Sequence, residues 1–199
     1  MTMTDDPKVA IAKLREMTGA GMMDCRNALN EAKGDIKEAQ DILRRRGLDI
    51  AKKKSSREVK EGQVVSYIHG GGKLGVLVEV NCETDFVAKN EMFQQFCRDL
   101  GMQVAAAFPL YVSPESIPAE ILEKEKSHWA EEVKGKPEQV KEKILQGKLA
   151  KRFEEICLLN QKYIKDDSRT VQDYLNETIA KTGENIVIRR FIRFEVGGN

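Results

Sequence analysis

A switch in hydrophobic period near Gly62 constrains this 199-residue chain more than any other feature. Before it, apolar residues recur three and four positions apart, the spacing of helices with one buried face; after it they alternate, the spacing of strands. Strands and helices that do not alternate one for one argue for an α+β fold. Three short helices fit the first fifty residues. Asp5, Asp6 and Pro7 open the first, which carries Val9, Ile11, Leu14 and Met17 and ends at Thr18-Gly19. The second runs over about 22–32, and Gly34 stops it. Asp35 with Glu38 makes a capping box for a third, with Ile36, Ala39, Ile42 and Leu43, that closes at Gly47. Helices this short are marginal alone and hold together by packing their apolar stripes. Lys52-Lys53-Lys54-Ser55-Ser56-Arg57 shows no period, which divides the chain into a helical domain over 1–50, a linker over 51–61 and a core over 62–199.

In that core, Val64 to His69 and Leu74 to Val80 flank Gly70-Gly71-Gly72 and predict a hairpin. Asn90 caps a helix over 91–107 whose Phe93, Phe96, Leu100 and Val104 keep the helical period. Residues 114–160 are charge-rich and helical, with breaks at Pro118, Gly135-Lys136-Pro137 and Gly147 that predict three successive helices. Thr170 caps another that ends at Gly183. Ile186 to Val196 closes the chain as a strand with one largely apolar face. The expected fold is therefore α+β: three N-terminal helices, then a small antiparallel sheet of about three strands with several helices.

Between the second strand and the helix over 91–107 lies Asn81-Cys82-Glu83-Thr84-Asp85-Phe86-Val87-Ala88, where an acid and a large aromatic stand side by side on a turn. Spacing alone leaves two readings. Phe86 plugs the core with Asp85 as a local cap, the commoner fate of a large aromatic, or it projects as a wedge.

Composition excludes several classes of function. With 33% charged residues and a formal charge of +1, no global field draws the chain to nucleic acid or to a membrane. No run approaches the roughly 20 apolar residues of a membrane span, and the first residues lack the pattern of a signal peptide, so a cytoplasmic protein is expected. Cys25, Cys82, Cys97 and Cys157 are scattered without a C-x-x-C pair and read as buried thiols, not zinc ligands. Gly70-Gly71-Gly72-Lys73 has no phosphate-loop spacing, and His69 and His128 have no nucleophile at a telling distance. Glu184 and the Glu/Lys pairs of 120–145 read as solvated helix faces. An enzyme is disfavoured, and no cofactor or metal is expected. Arg44-Arg45-Arg46, Lys52-Lys53-Lys54, Arg57 and Lys60 are suited to phosphate contacts, which makes an RNA-associated role for 44–60 the alternative, although no RNA-module aromatics accompany them.

Two long segments carry a resemblance. Leu14-Arg15-Glu16-Met17-Thr18-Gly19-Ala20-Gly21-Met22-Met23-Asp24-Cys25-Arg26-Asn27-Ala28-Leu29 resembles the amino-terminal signature of the bacterial elongation factor Ts family, and residues 81–88 resemble its second signature. Gly135-Lys136-Pro137, Gly147-Lys148-Leu149, Gly183-Glu184-Asn185-Ile186 and Arg193-Phe194-Glu195-Val196 extend the similarity over nearly the whole chain. The resemblance implies a guanine nucleotide exchange factor for elongation factor Tu in translation elongation, binding both the GDP-bound and the nucleotide-free partner, with a ubiquitin-associated-like (UBA-like) domain in the first helices. By the same similarity, Thr84, Asp85, Phe86 and Val87 enter the partner near its magnesium site, and Arg15, Met22, Met23 and Arg26 dock the N-terminal helices on it. With one hairpin-to-helix unit and no internal repeat, the chain matches the short members of the family, for which a homodimer is expected, with the strand bearing Ile192 and Phe194 as the seam. Gln103 stands where the family often has a histidine that contacts Tu, and Arg26 where a lysine is usual. No direct nucleic-acid or membrane partner is expected; the alternative is an RNA-associated translation protein using 44–60.

Overall fold

The computed structural model describes residues 7–135 and 137–198, so Asp5, Asp6 and Lys136 lie outside the described residues. The N-terminal helices are α1 (Pro7–Thr18), α2 (Met22–Glu31) and α3 (Ile36–Lys54). They bury Ala10, Leu14, Cys25, Ala28, Leu29, Ala32, Ala39 and Ile42 against one another, as the apolar stripes require. Asp35 caps α3 through its Oδ1, which accepts the Glu38 N–H at 3.0 Å. One boundary differs from expectation: α3 does not close at Gly47 but runs seven residues further, to Lys54. A Cβ at Gly47 would lie 3.8 Å from the Asn176 carbonyl and 4.0 Å from Ala180 Cβ, so this glycine is a buried packing position within the helix. Close helix packing offsets its poor propensity.

Strands β1 (Glu61–His69) and β2 (Leu74–Cys82) follow, joined through Gly70–Gly72, all three at positive φ, where only glycine is unstrained. Then come α4 (Asp85–Ala88), α5 (Glu91–Ala107), α6 (Ala119–Glu132), α7 (Glu138–Ile156), β3 (Lys162–Tyr163), β4 (Asp166–Thr170), α8 (Val171–Thr182) and β5 (Ile186–Glu195). The sheet is antiparallel in the order β1-β2-β5, which leaves β1 and β5 as its edges. The α+β class is thus as the sequence predicts.

Two further differences have local causes. The region 114–160 holds two long helices, not three, because α7 passes through Gly147. A lone glycine costs a helix only about 1 kcal/mol, which eighteen other helical residues absorb. The pair β3-β4 was not foreseen: Lys162–Thr170 is too short and too polar to show alternation, and its bulged register at Lys162/Tyr163 breaks the period further.

The described residues form two compact units. The first comprises the chain through Gln63 together with Asn81–Phe96 and Asp173–Val187. Besides the three-helix core it buries Cys82, Ala88, Phe93, Phe96, Leu175, Ile179 and Ile186, and Phe96 meets Tyr174 edge-on at 5.0 Å between centroids. In the second unit, Val76, Val78, Val80, Leu100, Val104, Leu158, Val171 and Ile188 are buried. Gln103 is fully buried there as well. Its amide donates to the Lys162 carbonyl at 3.1 Å and to Gln161 Oε1 at 3.3 Å, and its Oε1 accepts the Ile164 N–H at 2.9 Å. The position is a structural pin for the β3 turn, with no surface to offer a partner.

Candidate functional site

The first unit displays the turn that the sequence marks out. β2 ends at Cys82, and Thr84 sits in extended conformation (φ −128°, ψ 156°) as the N-cap of α4, its Oγ1 accepting the Val87 N–H at 3.4 Å. Cys82 is buried, and its thiol donates to the Thr84 carbonyl at 3.2 Å. Burial, with the Glu184 charge second, pushes that thiol up to about 11, so it stays protonated and unreactive at neutral pH. Phe86, at the second position of α4, is 82% exposed. It is a projecting ring, not a core plug. Asp85 and Val87 beside it are half-buried. The Asp85 carboxylate accepts from Lys89 Nζ at 2.7 Å, and this bond holds its pKa below the ordinary carboxylate value, leaving it charged at neutral pH.

The turn is braced from three sides. Glu184 Oε2 accepts the Glu83 N–H at 3.1 Å and the Thr84 N–H at 3.0 Å, while its Oε1 accepts the Thr84 hydroxyl at 2.6 Å. Glu83 returns the contact: its Oε1 accepts the Asn185 N–H at 2.6 Å. Asn185 Nδ2 donates to the Arg57 carbonyl at 2.8 Å, and Gln63 Nε2 donates to the Ala88 carbonyl at 2.9 Å, closing the far end of α4. Glu184 is therefore not a solvated helix-face residue. Gly183 (φ +74°) ends α8 and turns the chain so that the next carboxylate faces the β2-α4 turn. Glu83, Glu184 and Asn185 were missed as site residues because their partners lie about a hundred positions away. One local signal existed: an acid just past a helix C-terminus opposes the helix dipole and so calls for donors of its own.

The other predicted contact residues lie on α1 and α2. Arg15 and Arg26 are exposed, and Met22 and Met23, at the start of α2, are 61% and 59% exposed. Two unbranched thioether side chains held outward form an adaptable apolar contact. The turn between them meets α8: the Lys181 side chain covers Gly19 so closely that a Cβ there would lie 2.5 Å from its Nζ, and Gly19 is also at φ +61°. Four of the eight basic residues over 44–60 form exposed ion pairs. Arg46 meets Glu31 at 2.7 Å, Lys60 meets Glu58 at 3.1 Å, Arg57 meets Glu83 at 3.4 Å and Arg44 meets Asp41 at 3.6 Å. Lys52, Lys53 and Lys54 form the last turn of α3, where cations favour the dipole. Among the described residues no cluster of three or more His, Cys, Asp or Glu could hold a metal ion, and no helix is long and apolar enough to cross a membrane.

These features define a class: an α+β protein that displays its most unusual side chain, an aromatic ring, on a stiffened turn at the surface. The family model for elongation factor Ts matches residues 8–198. Similar relatives are elongation factor Ts of Caldanaerobacter subterraneus subsp. tengcongensis, 58% identical with 94% of this chain and 95% of the relative covered, and of Thermotoga petrophila, 54% identical with 94% of each covered. A third, from a Geobacter species, is 57% identical with 94% and 88% covered. The chain belongs to the elongation factor Ts family and is thus a factor of translation elongation.

Proposed function

We propose that this chain is a guanine nucleotide exchange factor for elongation factor Tu, and that Thr84, Asp85, Phe86 and Val87 disturb the magnesium and phosphate site of the bound partner. The observation that carries this reading is the exposure of Phe86 on a braced turn: a ring that contributes almost nothing to its own core is poised to be buried in another. Magnesium demands nearly octahedral coordination, so a rigid wedge that parts the elements placing its ligands weakens GDP without any covalent step. Asp85, charged at neutral pH and paired with Lys89, adds a carboxylate that competes with phosphate for its donors. Arg15, Met22, Met23 and Arg26 dock the helices of 1–50, the UBA-like domain in this reading, with 51–61 connecting it to the core of 62–199. The factor uses no cofactor, stabilises the nucleotide-free partner and leaves when GTP enters.

Linkage sets the size of the task. Weakening GDP by about a thousandfold to ten-thousandfold needs about 4 to 5.5 kcal/mol of coupling, and GDP weakens the factor's hold by the same amount. Release of fluorescent GDP from Tu is expected to accelerate at both stoichiometric and catalytic levels of this protein. An unchanged rate at both would reject exchange. The exposed Phe86, for which an RNA-associated role of 44–60 has no use, favours exchange over that alternative.

The same proposal includes a homodimer. A Cβ at Gly75 would lie 3.3 Å from Ile68 Cδ1, and Arg190 pairs with Glu79 at 2.7 Å, which puts Val64, Ile68, Leu77, Ile192 and Phe194 on one face of the sheet. All five are exposed, Val64 and Phe194 by 68% and 63%. Beyond Ile188 the apolar side of β5 is thus uncovered within the chain, and a second copy is the cover that this reading supplies. Sedimentation equilibrium is expected to give a dimer that the double substitution Ile192→Lys with Phe194→Lys converts to a monomer; a wild-type monomer at tens of micromolar would refute it.

A further inference from the structure

Resting on the exchange reading above, we infer that Glu184 is a positioning residue for exchange, the group that sets the angle at which Phe86 is presented. A four-residue helix has no stability of its own, and an exposed ring makes too little contact to hold itself in place. Something outside α4 must therefore fix its axis. The Gln63 amide secures only the far end, at the Ala88 carbonyl. At the near end three donors converge on one carboxylate, and charge-assisted bonds of this kind are about twice as strong as neutral ones.

The bonds also act in series. A hydroxyl has one proton, and the 2.6 Å contact commits that of Thr84 to Glu184, which turns an oxygen lone pair toward the Val87 N–H. The cap that starts α4 is thus oriented from α8's end, about a hundred residues away in sequence. Without the carboxylate, Gln63 still holds the far end of α4 and Asn185 still holds the Glu83 side chain, but the N-cap residue Thr84 loses its partners and the start of α4 is free to swing. The fold survives and the wedge loses its aim. Because docking through α1 and α2 does not use Glu184, the defect belongs to the step after binding.

The experiment is GDP release from Tu as a function of factor concentration. Glu184→Ala is expected to lower the maximal rate about tenfold while the half-saturating concentration moves less than about threefold. Glu184→Gln, whose amide oxygen keeps both backbone N–H groups and whose NH2 can donate to Thr84, is expected to recover to within about threefold of wild type. Thr84→Val is expected to lower the maximal rate in the wild type and to have a clearly smaller effect in Glu184→Ala, since the two share one chain of bonds. A wild-type maximal rate for Glu184→Ala, a loss confined to the half-saturating concentration, or full additivity with Thr84→Val overturns the inference. Should Glu184→Ala fail to fold, the rate of Glu184→Asp decides: its shorter arm cannot reach all three donors, and a wild-type maximal rate for it is equally fatal. Failure of the exchange reading looks different, because wild-type protein then releases no GDP, or Phe86→Ala releases it normally.

Discussion

Phe86→Ala is expected to cut the maximal rate of GDP release from Tu about a hundredfold, with the far-ultraviolet circular dichroism unchanged and the melting temperature within about 2 °C of wild type. The reason is the mismatch between what the ring does at home and what it meets abroad. With 82% of its surface in water, it has almost no burial to lose on truncation. Buried in a partner, a large aromatic at the centre of a contact commonly contributes about 2 to 4 kcal/mol, which is the hundredfold expected here. Release of fluorescent GDP at saturating factor measures the first quantity and a thermal melt the second. A fall of many degrees in the melt would return Phe86 to the role of core plug, and an undiminished exchange rate would remove it from the mechanism.

Phe96→Ala is expected to do the reverse. This ring is one turn into α5 from the site, fully buried and set edge-on against Tyr174. Truncation leaves a cavity that packed neighbours close only in part, with an expected loss of about 3 to 5 kcal/mol. In a chain of this size that corresponds to a fall of roughly 6 to 20 °C in melting temperature. Urea unfolding followed by circular dichroism measures it, and a loss below 1 kcal/mol would show that the ring does not carry the packing described. At temperatures where the variant stays folded, its maximal exchange rate should remain near wild type. Two phenylalanines ten positions apart thus separate function from stability: one lies on a turn with nothing beneath it, the other on the buried stripe of a helix.

The exposure of Phe86 was not readable from spacing. Its neighbours predict a strand-to-helix turn, and a turn is equally compatible with a ring pointing in or out; the two family-like segments, not the period, favoured the outward reading. Asp35, Asn90 and Gly183 by contrast were legible as helix ends, because a cap acts within three or four residues, as the Asp35 and Asn90 side chains do on the Glu38 and Met92 N–H groups. Gly47 and Gly147 misled for the opposite reason. A glycine has the same local signature whether it ends a helix or permits close packing, and α3 and α7 pass straight through them. Gln103 looked like a departure in a contact surface, yet it is a buried pin for backbone groups of Lys162 and Ile164.

Periodicity, caps and turn residues determine which stretches are helix or strand and hence the α+β class, since those preferences arise from backbone geometry over a few residues. What holds the aromatic turn in place was decided by tertiary structure alone. The carboxylate of Glu184 and the backbone N–H groups it accepts are a hundred residues apart in sequence, and a hydrogen bond leaves no trace in local pattern when its two ends meet only after the chain has folded.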